Sequence, residues 1–157
     1  MSNSFQEPSA KDTEAVHPKN APTAKEIMNR HVHTIEPSME LHDVTNFLLK
    51  HQISNAPVVR RENSRQVLLG FISEADCLEV LASRVFYGEP SLPQTAETMM
   101  KRHPVCVGPD EDVFTLTSIF MSHNYRHLPV VEGQHLLGIV SRRDVIRSLH
   151  QLSLIHI

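Results

Sequence analysis

Two serine–aspartate pairs are the residues of this sequence best suited to bind a ligand. Ser73 precedes Asp76 and Ser141 precedes Asp144, with two residues between serine and aspartate in each pair. At the first turn of a helix, a hydroxyl and a carboxylate beside free backbone N–H groups can bind a sugar diol and an adjoining phosphate. The aspartate would accept hydrogen bonds from two ribose hydroxyls, and the serine would donate one to a ribose or phosphate oxygen.

The spacing also has a structural explanation that involves no ligand. A serine at the N-cap of a helix and an acidic residue three positions later form a capping box, which stabilises the helix by about 1 kcal/mol. Each pair also follows a glycine, Gly70 or Gly138, that would permit close contact between two stretches of backbone. A capping box and a ligand contact are compatible, so both explanations remain open.

Both pairs end a stretch that occurs twice. Residues 70–76 and residues 138–144 share the order glycine, two apolar residues, serine, two variable residues, aspartate. A Pro-Val-Val run precedes each copy, at residues 57–59 and 129–131, and the connecting loop of the second copy is shorter. Loops are where duplicated units usually diverge. The chain is therefore predicted to contain two copies of one unit.

Helix and strand patterns give each copy the order α-β-α-β-β-α. The predicted helices are 23–30, 39–51, 74–85, 95–101, 111–124 and 142–151, and the predicted strands are 33–35, 56–59, 67–72, 105–107, 128–132 and 135–140. Thr23 with Glu26, and separately Ser38, are predicted to cap the first two helices. Neither copy alone can cover both faces of so small a sheet. We predict an α+β fold in which two pseudo-symmetric repeats, each a small three-stranded sheet with helices, pack together as one module.

The two repeats are predicted to occupy residues 23–88 and 89–151, joined by a linker that contains glycine and proline. Residues 1–22 are polar and contain three prolines, so we expect a flexible tail. Residues 152–157 match the peptide encoded by a transposon end used in some sequencing libraries. We interpret them as a sequencing-library artefact; the alternative is that they simply finish the last helix.

Composition argues against several classes of protein. The formal net charge of −3 over 157 residues gives no overall attraction to nucleic acid or to an anionic membrane. We find no signal peptide, and no apolar run approaches the ~20 residues that span a bilayer. Cys77 and Cys106 lack the spacing of a metal site, and we interpret both as small core or half-buried residues. We expect a cytoplasmic protein that binds neither nucleic acid nor membrane.

Metal binding and catalysis are not expected either. His123 and His127 have the i, i+4 spacing of zinc-binding helices, but the accompanying glutamate and a third ligand are not placed by the sequence. No nucleophile is paired with a base in a recognisable arrangement. The chain is therefore predicted not to be an enzyme and to require no metal or other cofactor.

The paired motifs and the strands before them resemble the tandem CBS-domain (Bateman) module, over about residues 23–151. The resemblance implies a stand-alone regulatory module that binds AMP, ADP, ATP or S-adenosylmethionine between its repeats, does no chemistry, and signals to a partner by conformational change. It implies a disc-like homodimer and a regulated protein that the sequence does not name. Within the motifs, it implies that Asp76 and Asp144 bind the ribose, with Ser73 and Ser141 beside them.

The resemblance also implies contacts outside the motifs. Thr34 and its counterpart Cys106 would lie near the adenine, although a cysteine departs from the hydroxyl residue usual there. The remaining predicted contacts lie at the strand starts and within the second motif, and they are Asn55, Ala56, Pro57, Arg126, His127, Leu128, Pro129, Arg142 and Arg143.

The two repeats differ in charge at some of these predicted contact positions. The second repeat has basic residues at 126–127 and 142–143, where the first has Ser-Asn at 54–55 and Glu-Ala at 74–75. Arginine suits phosphate through its planar guanidinium, although basic surface residues are often only solvated. Our hypothesis is that the site lined by second-repeat residues binds a phosphorylated adenosine and that the other site is weaker or vacant.

The helix after the first motif has apolar residues on more than one side. Leu78, Leu81 and Val85 fall on one face, and Cys77 and Val80 on another, which is more apolar surface than one core contact needs. This pattern is consistent with a homodimer. It leaves an alternative function open, a dimerisation or docking module with vestigial ligand sites.

Overall fold

The computed structural model describes residues 20–88 and 93–155. The helices in these residues are α1 (Ala24–Ile27), α2 (Leu41–His51), α3 (Glu74–Tyr87), α4 (Ala96–Met99), α5 (Val113–Ser122) and α6 (Arg142–Ile155). The strands are β1 (Asn55–Glu62), β2 (Arg65–Ser73), β3 (Lys101–Arg102), β4 (His127–Glu132) and β5 (His135–Ser141). Most of the predicted tail, the middle of the predicted linker and the last two residues lie outside the described residues.

Two antiparallel hairpins form the centre of the sheet, whose strand order is β1-β2-β5-β4. The β1–β2 turn holds Asn63 and Ser64 at positive φ, and the β4–β5 turn holds Gly133 at positive φ, as tight hairpin turns require. The hairpins meet where Val67 of β2 lies opposite His135 of β5. The predicted α+β fold, with two repeats packed as one module, is confirmed.

The predicted third strand of each repeat is reduced to one residue. The Ile35 N–H donates to the Pro57 carbonyl (3.0 Å), and the Ile35 carbonyl accepts from the Val59 N–H (3.0 Å). Val107 makes the two equivalent hydrogen bonds to β4. A proline follows each of these residues two positions later, and proline cannot donate a hydrogen bond to a neighbouring strand. The predicted strands 33–35 and 105–107 are therefore too long.

The first helix of each repeat packs on the core of the other repeat. Ala24 of α1 and the adjoining Met28 are buried in the core that contains α5, β4, β5 and α6. Ala96 and Met99 of α4 are buried in the core that contains α2, β1, β2 and α3. Short backbone pairings accompany the exchange, since β3 pairs with β2 and Asn29 forms a bridge with β5. Each hydrophobic core therefore combines elements from both sequence repeats.

The two motif glycines lie where the exchanged segments cross the sheet. A Cβ on Gly70 would lie 2.4 Å from the Lys101 carbonyl oxygen and 2.9 Å from the sulfur of Met100. A Cβ on Gly138 would lie 2.7 Å from the Asn29 carbonyl oxygen. These distances are too short for any side chain. The prediction that the glycines permit close contact between two stretches of backbone is confirmed.

The capping box predicted at the first helix does not form. The Thr23 hydroxyl bonds to the Glu26 carboxylate (3.2 Å), and the Thr23 side chain makes no capping hydrogen bond to the helix backbone. The Ala24 and Lys25 N–H groups donate instead to the Glu111 and Pro109 carbonyls of the second repeat (2.7 and 2.9 Å). A carbonyl from the other repeat thus satisfies a donor that a side-chain cap would otherwise satisfy.

The cap predicted for the second helix is wrong for the same reason. The helix begins after Glu40 rather than after Ser38. The Leu41 N–H at its start donates to the Gln94 carbonyl, which precedes α4 (3.0 Å). The exchanged segment therefore decides where α2 begins.

The two cysteines occupy different environments. Cys77 is buried, as predicted, and burial raises the pKa of its thiol. Cys106 is exposed, so the prediction of a core or half-buried residue is wrong there. It lies in the connection before Val107, where its thiol donates to the Pro104 carbonyl (3.2 Å). Over residues 20–88 and 93–155, no helix has both the length and the apolar content needed to cross a membrane.

Candidate functional site

Each serine–aspartate pair forms a capping box where a strand meets a helix. The Ser73 N–H and hydroxyl donate to Asp76 Oδ2 (2.9 and 3.0 Å), and the Asp76 N–H donates back to Ser73 Oγ (3.2 Å). Ser141 and Asp144 make the same three hydrogen bonds at the start of α6 (2.8, 2.9 and 3.2 Å). Both predicted caps are confirmed, and each uses Oδ2 of the carboxylate and leaves Oδ1 outside the box.

The two Oδ1 atoms have different neighbours. Lys101 Nζ lies 3.6 Å from Asp76 Oδ1, and the Asp76 side chain is 6% exposed. Arg147 Nη1 lies 3.6 Å from Asp144 Oδ1, and the Asp144 side chain is 18% exposed. Lys101 belongs to the segment exchanged from the second repeat, whereas Arg147 lies on the same helix as its partner. Asp76 is therefore covered across the repeat boundary, and Asp144 is more open.

One cleft between the repeats, called cleft A below, contains the second motif. Its volume is about 380 Å³. Ser141 and Asp144 of the second repeat form one side. The opposite side comes from the first repeat and includes Asn29, His31, His33, Gln52, Ser54 and Asn55. Because these residues come from both repeats, cleft A exists only when the repeats are packed together.

A second cleft, called cleft B below, contains the first motif and has a volume of about 470 Å³. Ser73 and Phe71 line it from the first repeat, while Asp76 lies outside the lining. The second repeat contributes the larger side, which includes Lys101, Val105, Asn124, Tyr125 and Arg126. Each cleft thus combines the motif of one repeat with the strand start and the exchanged segment of the other.

The duplication relates the two clefts position by position. Lys101 in cleft B occupies the place that Asn29 has in cleft A, and Arg126 occupies the place of Ser54. Asn55 and His127 are also counterparts, and each of them lines both clefts. The clefts therefore share a wall.

This arrangement divides the residues that the sequence analysis had grouped into one second-repeat site. Arg126 lines cleft B with Ser73, whereas Asp144 lines cleft A with Asn55. The reason is that the repeats face each other, so each motif meets the strand start of the other repeat. The second-repeat residues that were predicted to line one site therefore line two different clefts.

The remaining predicted contacts lie in different places. Pro57 lines cleft A and Pro129 lines cleft B. Ala56 and Leu128 are buried in the two cores, because alternate side chains of a strand point to opposite faces. Four other predicted residues, Thr34, Cys106, Arg142 and Arg143, are not among the residues that line either cleft.

Arg142 nevertheless contacts the edge of cleft B. Its Nη2 donates to Oδ1 of Asn124 (3.1 Å), and Asn124 lines that cleft. Arg143 is exposed on the surface of α6. Of the two arginines predicted as a pair, Arg142 therefore contacts a residue of cleft B, whereas Arg143 is exposed.

His127 has an unpaired polar atom between the two clefts. Its Nδ1 is buried and has no hydrogen-bond partner among the described residues. Burial lowers the pKa of His127, while Asp144 opposes this change and Arg126 adds to it. The neutral imidazole that results can either donate to or accept from a ligand.

Several lining residues were not predicted from the sequence, notably Asn29, His31, His33 and Lys101. They lie on the segments that follow the exchanged helices, so they reach the clefts only because of the exchange. A signal was present, since an Arg-His pair follows the first helix of each repeat, at residues 30–31 and 102–103.

A metal site is not indicated in the part of the chain that the structure describes. No group of three histidine, cysteine, aspartate or glutamate side chains comes together there. His123 ends α5 and stacks on Tyr125 with ring centroids 5.1 Å apart, whereas His127 lies in β4. The two histidines with helical spacing are therefore not on one helix.

Comparison with known proteins gives the following matches. The family model described as "CBS domain" matches residues 24–83 and 96–151. The A-adding tRNA nucleotidyltransferase of Aquifex aeolicus (strain VF5) is 27% identical over 127 residues, which cover 81% of this chain and 14% of that protein. The chain thus spans a small part of the length of this relative.

Two solved structures share the fold. CBSX2 of Arabidopsis thaliana in complex with AMP is 22% identical, with a TM-score of 0.68 over 83% of this chain and 98% of that one. The CBS domain pair of MJ0100, in complex with 5′-methylthioadenosine and S-adenosyl-L-methionine, is 23% identical, with a TM-score of 0.66 over 84% of this chain and 98% of that one. At this level of identity the likeness concerns the fold.

Proposed function

The chain belongs to the CBS-domain family, and from this premise we propose that it is a regulatory module that binds an adenosine-containing ligand between its repeats. The ligand is AMP, ADP, ATP or S-adenosylmethionine, and the protein catalyses no reaction. The observation that carries the proposal is cleft A, where Ser141 and Asp144 face first-repeat residues across a space of about 380 Å³. The adenosine ligands of CBSX2 and of the MJ0100 pair support the ligand class.

Asp144 is the proposed ribose-binding residue of cleft A. The Ser141 N–H and hydroxyl hold its Oδ2, so the carboxylate is fixed before a ligand arrives. Its Oδ1 is 3.6 Å from Arg147, whose side chain is 63% exposed, and so loose an ion pair costs little to rearrange. Oδ1 can therefore accept hydrogen bonds from the ribose hydroxyls.

The rest of cleft A suits an aromatic base. Val32, Ile53 and Ile139 give it the apolar surface against which an adenine ring would pack. Asn55 and His127 add polar groups that can pair with the edge of the base or with the ribose. The lining thus combines apolar walls with a few polar groups, which is typical of small-molecule sites.

Ligand binding would signal by favouring one arrangement of the two repeats. A ligand that contacts both sides of a cleft binds most tightly to the arrangement in which both sides reach it, and it shifts the population toward that arrangement. A partner protein that binds this arrangement better than others would then respond to the ligand. The partner is a protein that the chain itself does not identify.

A panel of AMP, ADP, ATP, S-adenosylmethionine and NAD is expected to contain at least one ligand that raises the melting temperature. A ligand at 100 times its dissociation constant stabilises by about 2.7 kcal/mol. That corresponds to roughly 5–10 °C for a chain of this size. A thermal-shift assay measures the effect, and the absence of any response across the panel would contradict the proposal.

Asp144→Asn provides the control for this panel. The asparagine keeps an acceptor for the cap but loses the charge, so the ligand of cleft A should bind about 10–100-fold more weakly. Asp112→Asn is the matched variant, because Asp112 also caps a helix (2.8 Å to the Thr115 N–H) and lies outside the linings of both clefts. Equal losses in the two variants would mean that the carboxylate acts through stability alone.

A second candidate function, dimerisation or docking without a ligand, is favoured by exposed apolar side chains on two helices. Leu78 and Phe86 of α3 are 67% and 79% exposed. The counterpart of Leu78 on α6, Ile146, is 66% exposed. Both repeats thus present an exposed apolar residue at this position, and pairing with a second copy would use such a matched position. We propose that the protein is a homodimer through α3 and α6.

The face predicted on the first of these helices is only partly the exposed one. Leu78 and Val85 are exposed. Leu81 packs against the core, together with Val80 and the buried Cys77. More of the apolar surface of α3 therefore faces the core than the sequence pattern indicates.

Leu78→Glu combined with Val85→Glu is expected to convert the dimer to a monomer. Charges in the centre of an apolar interface are costly, while both positions are exposed in the single chain and should tolerate the change. Size-exclusion chromatography with light scattering measures the mass. Leu49→Glu, an exposed leucine on α2, is the control and should remain dimeric. A wild-type protein that is monomeric would contradict the homodimer.

A further inference from the structure

The two clefts differ in charge, although the duplication relates them. Cleft B is lined by Lys101 and Arg126, whose counterparts in cleft A are the uncharged Asn29 and Ser54. Among the described residues, no lysine or arginine lines cleft A. Among the described residues, lysine and arginine therefore line cleft B and not cleft A.

Arg142 adds to the positive charge near cleft B. It follows the serine of the second motif, so its position in the sequence associates it with cleft A. Its guanidinium is nevertheless bonded to Asn124, a residue that lines cleft B (3.1 Å). Guanidinium groups bind phosphate oxygens through paired N–H donors. Together with Lys101 and Arg126, Arg142 makes three cations in or beside cleft B.

Lys101 connects the charge of cleft B to Asp76. Its ammonium lies 3.6 Å from Asp76 Oδ1, and the lysine side chain is 78% exposed while the aspartate is 6% exposed. A lysine on its flexible stem can move to a phosphate, which would uncover the carboxylate for the ribose. A ligand without phosphate offers the ammonium no replacement for the carboxylate. Cleft B therefore favours a ligand that carries negative charge.

Cleft A has the opposite character. Asp144 supplies a carboxylate, and Arg147, the cation nearest to it, lies outside the lining. His127 favours its neutral form because burial lowers its pKa. A phosphate here would lie near a carboxylate with no fixed cation among the lining residues to offset the repulsion. A neutral or cationic ligand avoids that cost.

We propose that the two clefts sort adenosine ligands by charge, so that cleft B binds an adenosine that carries phosphate and cleft A binds one that carries none. The inference rests on the proposed function and adds the ligand class of each cleft. It differs from the hypothesis drawn from the sequence, because the phosphate lies with Ser73 and Arg126 rather than with Asp144.

Calorimetric titration with AMP and with 5′-methylthioadenosine tests the sorting, at about pH 8, where histidines of ordinary pKa near 6.5 are neutral. Lys101→Asn combined with Arg126→Ser gives cleft B the residues of its counterpart. This variant should bind AMP about tenfold or more weakly, the loss expected for a charge-assisted contact, and 5′-methylthioadenosine with unchanged affinity. Asp144→Asn should show the reverse pattern.

Salt dependence gives a second measurement that needs no variant. Added sodium chloride screens exposed charges, so AMP should bind more weakly as the salt concentration rises, while 5′-methylthioadenosine should respond little. Lys101 and Arg126 are exposed, and thermal unfolding of the double variant should confirm that it folds. The wild-type salt series retains its meaning even if the variant does not fold.

The outcomes separate this inference from the function on which it rests. A wild-type protein that binds neither probe would overturn the proposed function. A wild-type protein that binds both probes, while each variant weakens both equally and salt affects both alike, would overturn the charge sorting and leave the adenosine function standing. The charge sorting would also be overturned if Asp144→Asn lost AMP binding while the double variant kept it.

Discussion

Gly138→Ala and Gly70→Ala are each expected to destabilise the protein by about 1–3 kcal/mol, the usual cost of forcing extra atoms into a packed site. The new methyl group would meet the Asn29 carbonyl at Gly138 and the Lys101 carbonyl at Gly70. A backbone carbonyl cannot turn aside as the end of a long side chain can. Urea or thermal unfolding measures the loss, at roughly 2–4 °C of melting temperature per kcal/mol.

Gly108→Ala is the matched control for these two variants. A Cβ at Gly108 would have no neighbour within 4 Å among the described residues, and its φ is not positive. Its free energy of unfolding should stay within about 0.5 kcal/mol of the wild type. If all three alanine variants lost the same stability, the cost would come from backbone conformation, and the close contact with the exchanged segments would not be its cause.

Removal of residues 1–28 is expected to unfold the core of the second repeat before that of the first. The deletion takes away α1 and Met28, which are buried against α5 and its neighbours. Losing the burial of Ala24, Ile27 and Met28 should cost about 4 kcal/mol or more. Hydrogen exchange measures the result residue by residue. Amides of α5 (Val113–Ser122) should lose protection, while those of α2 (Leu41–His51) should keep more of theirs.

A shorter deletion, of residues 1–19, is the control because it removes most of the predicted tail and leaves α1 in place. It should leave the hydrogen-exchange pattern unchanged. The informative comparison is between the two helices in the longer deletion. If α2 lost protection first, the deleted helix would belong to the core of its own repeat. That result would contradict the exchange of first helices between the repeats.

Much of the local structure could be predicted because neighbours in the chain determine it. The capping box of Ser73 and Asp76 spans four residues, and its geometry depends on little else. The close approach at Gly70 and Gly138 was also anticipated, since glycine at a fixed place in a strand usually marks contact with another backbone. The identity of that other backbone was not predicted.

The exchange of the first helices could not be predicted from residue types. Ala24 and Ala96 are counterparts in the two repeats, and each is fully buried. A short helix with a small buried residue fits either core about equally well. The path of the chain between elements decides which core the helix covers, and the hydrophobic periodicity of the sequence does not reveal that path.

The composition of the clefts was mispredicted for a related reason. Arg126 and Asp144 belong to one repeat, and they were predicted to line one site. In the structure the strand start that carries Arg126 faces the motif of the other repeat. Residues such as Lys101 were missed altogether, because only the exchanged segment brings Lys101 to Asp76.

The exchanged helices also limit how such a protein could have arisen from a gene with a single copy. The connections in the product of that gene would place its first helix on the core of another copy, and its own core would lack this cover. Two such polypeptides could complete each other, so the ancestral form would be an obligate assembly whose stability depended on concentration. Fusion of two copies would replace that dependence with the high local concentration of a tether.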